Sequence, residues 1–275
     1  MGQMEKGFAT VPSQFKSKGM SNSPAPEGGQ SRQINLQSLV DQFMGGLQRH
    51  FDMLAFNLAS REKAAEEDYD RFAKSVYIMP ASRAHQNFEQ TQAYARDLLI
   101  RQVIGDSMNL VVTCLNNCHL FLSLAKSHKE FAGEPEKIQK TAQEAQKSFV
   151  QSSLDQKFDR LEKDYEIRCE LEDTFISLGF LAQGFMRQKS TVEAAQTNEQ
   201  GELVIDLKEV DPSTIIDAEI APIQPKLIDR AKVFREGDKI FFTDAELQLI
   251  LVTLGSFAQN LFHSVAQFAQ RMKES

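Results

Sequence analysis

The stretch MNLVVTCLNNCHLFLSLA, residues 108–125, constrains the fold more than any other part of this chain. It is apolar around most of a helical circumference, which marks a helix covered on nearly every side. Such a helix needs the apolar faces of other helices around it. Asn109, Asn116, Asn117 and His119 interrupt it before the roughly 20 apolar residues of a membrane span are reached. The expectation is a core helix of a soluble, cytoplasmic protein without membrane contact.

Helical periodicity surrounds this stretch. Leu36, Leu39, Phe43, Leu47, Phe51, Leu54 and Leu58 recur at steps of three and four. Gly45 and Gly46 sit inside that run and point to a kink or close packing, since glycine costs about 1 kcal/mol in a helix interior. The central helix is expected over about 82–126. Further apolar helical patterns run through 171–186 and 247–268. Thr243-Asp244-Ala245-Glu246 reads as a capping box opening the last helix. The pattern predicts an all-α fold: an antiparallel helical bundle with long central helices and a small β-hairpin or irregular insertion before the last helix.

Residues 1–33, rich in Gly, Ser, Pro and Gln, are expected to form a disordered tail. Residues 34–275 are then one helical domain carrying an acidic insertion at 190–242. GELVIDL predicts a short strand over Leu203–Leu207. Val233-Phe234-Arg235 and Ile240-Phe241-Phe242, flanking Glu236-Gly237-Asp238-Lys239, give a hairpin signal.

The net charge of −7 argues against a strongly basic nucleic-acid binder. Its location narrows that argument. Residues 190–230 hold nine acidic and three basic side chains, a charge of −6, while the tail contributes +2. The helical body is nearly neutral, so RNA contact there is neither supported nor opposed by bulk charge. Three cysteines make no disulfide framework. The N-terminal MGQMEKGFATVPSQF has no apolar segment, so no secretory signal is expected.

No complete catalytic motif occurs, and no cofactor is expected. Cys114 and Cys118 share a helix face with His119 nearby, but a fourth ligand is not signalled, so no metal is assigned. No P-loop, G-x-G-x-x-G, G-x-S-x-G or H-E-x-x-H is present. The charged run Arg61–Arg71 reads as a solvated face, and Arg96, Asp97 and Arg101 as charges paired beside the core.

The order of elements carries a resemblance. A long apolar helix is followed by one ending LGFLAQGFMRQKSTV, then an irregular segment, then KVFREGDKIFFTDAELQLILVTLGSFAQNLF. This resembles the HEPN superfamily of bacterial helical proteins over roughly residues 36–270. In that family a late helix ends in Arg, often followed by Asn, with a His four to six residues after the Arg. A stretch like Gly237-Asp238-Lys239-Ile240-Phe241-Phe242-Thr243 then leads into the final helix. The resemblance implies a helical fold and, often, an RNase role in toxin or phage-defence systems. Arg would stabilise phosphate charge and His would move a proton.

Laid onto LAQGFMRQKS, the Arg falls on Gln183, the Asn on Gly184 and the His on Gln188, with Arg187 one residue from the last. Glutamine has neither charge nor a useful pKa. No catalytic residue is therefore assigned. The expectation is a non-catalytic, HEPN-like helical protein of bacterial stress or phage defence that acts by binding. It forms a homodimer, with an unidentified protein partner or RNA as ligand. The apolar girth around Met108–Leu124 and Leu247–Phe262 favours the dimer. The alternatives are a divergent metal-independent RNase using Arg187 with His119 or His263, and an unrelated helical scaffold or regulatory protein whose partner binds the acidic insertion.

Overall fold

The computed structural model describes residues 35–73, 87–187, 189–211 and 226–274. The expected tail lies outside the described residues. Among them run α1 (Leu36–Lys63), α2 (Glu66–Ala73), α3 (Phe88–Glu130), α4 (Pro135–Gln151), α5 (Leu154–Tyr165) and α6 (Glu172–Met186). Strands β1 (Glu202–Val210) and β2 (Leu227–Arg235) follow, then α7 (Asp244–Glu274). The protein is mostly helical, with one small antiparallel sheet before the last helix.

Local chemistry sets the helix ends. Asn35 accepts from the Ser38 amide at 2.6 Å and Asn87 from the Gln90 amide at 2.8 Å, each satisfying an orphan first-turn donor. Pro135 opens α4, where its missing N–H costs nothing. Glu166 closes α5 in the left-handed region at φ 59°, returning its N–H to the last-turn carbonyls. At α7 the capping box forms as the sequence predicts. The Thr243 amide donates to Glu246 Oε2 at 2.7 Å, and the Glu246 amide to Thr243 Oγ1 at 3.2 Å.

The chain divides into two compact units, and α1, α3 and α7 each supply residues to both. The first unit takes the described residues up to Phe43, Thr113–Arg168 and those from Asn260 onward. Leu115, Leu122, Phe149, Phe158, Leu161 and Val265 are fully buried in it. Phe43 meets Phe262 edge-on at 6.0 Å, and Tyr165 meets Phe268 at 5.4 Å.

The second unit comprises Met44–Val112 and Cys169–Gln259. Here Gly46 lets α1 approach α3 closely: a Cβ at that position would stand 2.9 Å from Leu110 Cδ1. Of the two expectations for the glycine pair, close packing is the one realised at Gly46. Phe175 of α6 packs on Phe257 of α7 at 4.7 Å.

The ribbon belongs to the second unit. Leu203, Ile205 and Leu207 alternate inward from β1 and are buried, so the expected strand forms and extends by one residue before and three after. The outer edge of β1 is closed by two buried threonines. Thr174 Oγ1 lies 3.3 Å from both the amide and the carbonyl of Asp206, and Thr253 Oγ1 accepts from the Lys208 amide at 2.8 Å. These hydroxyls occupy backbone groups that an incoming strand would otherwise use.

The expected hairpin around Glu236–Lys239 does not form. Val233, Phe234 and Arg235 pair with β1 instead, in a register running from Glu202↔Arg235 to Val210↔Leu227. The outward amide of Arg235 donates to Asp238 Oδ2 at 2.7 Å. Both sides of that strand end are thereby engaged, and Ile240–Phe242 finds no room to pair there. The turn, with Gly237 at φ 85°, folds toward 190–192: the Ile240 amide reaches Ser190 O at 2.8 Å and the Val192 amide reaches Asp238 O at 3.0 Å.

The apolar girth of α3 and α7 also finds its explanation within the chain. Met108, Val111, Leu115 and Leu122, with Leu247, Ile250, Leu254 and Leu261, are buried by the chain itself. That girth does not call for a second copy. By length and composition α3 and α7 could each cross a membrane, yet half of each apolar window is buried inside the protein.

Candidate functional site

The end of α6 carries the residues that the resemblance marks. The helix stops because the Arg187 amide bends back, donating to Gly184 O at 3.0 Å and Gln183 O at 3.3 Å. The Lys189 amide also reaches Gly184 O at 3.0 Å. Gln183 and Arg187 are exposed and Gly184 is buried, while Gln188 lies outside the described residues. A Cβ on Gly184 would come within 3.4 Å of Gln196 Nε2. Gln196 holds its place by donating to Phe180 O at 2.9 Å and accepting from the Glu193 amide at 2.8 Å. The turn at Ala194–Gln196 thus packs against Gly184.

The chemistry available there is hydrogen bonding and positive charge. Arg187 and Lys189 lie at a helix C-terminus, where cations complement the macrodipole. Lys189 is paired with Glu193. Met186, beside them, is 86% exposed. Gln183 can donate and accept but cannot exchange a proton near neutral pH.

The described histidines belong to other helices, α1, α3 and α7. His119 is fully buried in the first unit. Its Nδ1 meets Gln146 Oε1 at 2.7 Å, and Gln146 Nε2 donates to Asn116 O at 3.0 Å. Its ring stacks on Phe149 with centroids 3.9 Å apart and planes 11° from parallel. Burial, partly offset by the Gln146 bond, lowers its pKa to about 4. That ring is neutral at physiological pH and closed to solvent, which unsuits it as a base for an external substrate. His263 is exposed and bonds Gln267 at 2.8 Å, His128 is exposed, and His50 is half-buried; His85 lies outside the described residues.

Cys114, Cys118 and Cys169 are buried free thiols. The hydrogen bond with Cys114, then burial, push the Cys118 thiol well up, so it stays protonated. Among the described residues no group of three His, Cys, Asp or Glu side chains could hold a metal ion.

The charges near the start of α3 are paired. Asp244 takes Arg96 on Oδ1 at 3.0 Å and Arg61 on Oδ2. Arg96 also donates to Phe242 O at 3.0 Å and lies over the Phe241 ring at 4.6 Å. Lys239 meets Asp97 at 3.3 Å, and Arg101 lies over Phe185 at 5.6 Å. Arg61 therefore leaves the expected solvated face and joins a three-element clamp.

Sequence reasoning missed the polar cluster around His119 and the buried Lys157. Lys157 Nζ donates to Phe149 O and to Val150 O, the latter at 3.1 Å, capping α4 from the side. Its one advance signal was its place one turn after Ser153, directly beyond the α4 end.

No family model, no curated protein and no solved structure matches this chain.

Proposed function

We propose that this chain is a non-catalytic, HEPN-like helical-bundle protein that acts by binding protein, its own copy included. The observation that carries the reading is the end of α6. Gln183 stands exposed where the family has Arg, and the Asn position is a buried glycine covered by Gln196. An exposed amide and a cation can hold a partner, but they move no proton. His119, the one buried imidazole among the described residues, is engaged by Gln146 and stacked on Phe149, which disfavours the RNase alternative that uses it.

Self-association rests on exposed apolar residues rather than on helix girth. Phe56 is 68% and Met53 49% exposed, and they are neighbours on α1. A cytoplasmic, bacterial setting follows from the same family reading.

Incubation with tRNA and single-stranded RNA tests it. The protein leaves both intact, and Arg187→Ala changes nothing. Cleavage that disappears in Arg187→Ala would overturn the proposal and make the protein an enzyme. Retention of RNA without cleavage would replace protein by RNA as the ligand.

A further inference from the structure

The geometry of the first unit points to an acid-released latch: a proton on His119 detaches α4 from α3. The ring is held by α4 through Gln146 and Phe149, and by α5 through Tyr165, which it meets edge-on at 5.6 Å. Tyr165 OH is 2.8 Å from Ser123 Oγ and 3.4 Å from His119 Nε2. Among the described residues the ring's polar partners are Gln146, Ser123 and Tyr165, none of them a carboxylate that could receive a charged imidazolium.

Of the charges that bear on the ring, Arg160 and Lys157 oppose that proton and Asp164 favours it. From α5, Lys157 and Arg160 face the Phe149 ring at 4.6 and 5.5 Å, while His119 stacks on that same ring. Asp164 is the acid on that side, and Arg160 holds it at 3.8 Å. α4 contributes Gln146 and Phe149, neither of which titrates in this range. On α3, Lys126 lies 5.7 Å from the Tyr165 ring, with Glu130 one turn further. From α7, Phe268 packs on Tyr165, and Arg271 behind it is paired with Glu166 at 2.7 Å. A charged ring would thus join cations around one phenyl group in a closed site, and opening relieves both burial and repulsion.

The sign follows from the two states. In the closed unit the ring resists protonation down to about pH 4, whereas a solvated histidine takes its proton near 6.5. The open form therefore gains population as pH falls between those values, by about twentyfold from a pH of about 7 to about 5.

Hydrogen exchange on the full chain, corrected for intrinsic rates, tests the latch at about pH 7 and about pH 5. The amides of α4 lose protection about twentyfold, those of β1 and α6 keep theirs, and His119→Gln abolishes the change. Arg160→Gln, at a partly exposed position, checks the charge argument without emptying the core. It eases the ring's protonation in the closed unit, so the same loss requires a lower pH. Unchanged α4 protection at the lower pH overturns the latch. So does an equal loss in His119→Gln, loss spread equally over β1 and α6, or no displacement in Arg160→Gln.

Discussion

Lys157 shows how much a single buried side chain can hold. An ammonium with 2% exposure is tolerated because it donates to two carbonyls at the end of α4 and lies against Phe149. Burial lowers its pKa, but the bonds keep a cation matched to a helix C-terminus. Lys157→Met is expected to lower unfolding free energy by about 1–3 kcal/mol, read from urea melts at neutral pH, because Val150 O and Phe149 O each lose a charged donor at the end of α4. His119 gives the pH dependence. Its folded-state pKa lies below the unfolded one, so the unfolded chain binds the proton first as pH falls. Stability is full above about 6.5 and declines toward about 4, by on the order of 3 kcal/mol at most. A thermal midpoint that holds steady between those limits would contradict the assignment. Neither residue was legible in the sequence. A lysine early in a polar helix reads as solvated, and a histidine beside Cys118 without a full ligand set has no assigned role until Gln146 and Phe149 are seen against it.

The helix ends of α7 and the strand β1 were legible because their signals are local. Thr243 and Glu246 need only each other, and the alternation Leu203, Ile205, Leu207 needs only one covered face. The hairpin was misread because pairing is non-local: β2 chose β1, from which it is separated by 16 residues of chain, over the adjacent Ile240–Phe242. The candidate site was legible only as a departure from a family pattern, since the cover that Gln196 gives Gly184 depends on a turn with no motif of its own. Two substitutions test these elements. Thr243→Ala removes one half of the capping box and is expected to cost about 1 kcal/mol. Thr253→Val keeps the shape but strands the Lys208 amide at the edge of β1, at a cost of about 1–3 kcal/mol. Denaturant midpoints decide both, and a neutral Thr253→Val would mean that water replaces the hydroxyl.

On the scale of the whole molecule, the apolar surface divides into two classes. The inner faces of α3 and α7 are consumed within the chain, whereas Phe56 and Met53 on α1 and Met186 at the end of α6 stay open. The charge divides as well, with −6 gathered in 190–230 and a nearly neutral helical body. The open apolar side chains of α1 and the closed histidine are what support the proposed reading of a protein that acts by association. Light scattering at micromolar concentration measures association most directly. The account predicts a particle of twice the 31.0 kDa chain mass, reduced to the single chain by Phe56→Asp. A particle of 31.0 kDa for the unaltered protein across that range would contradict it.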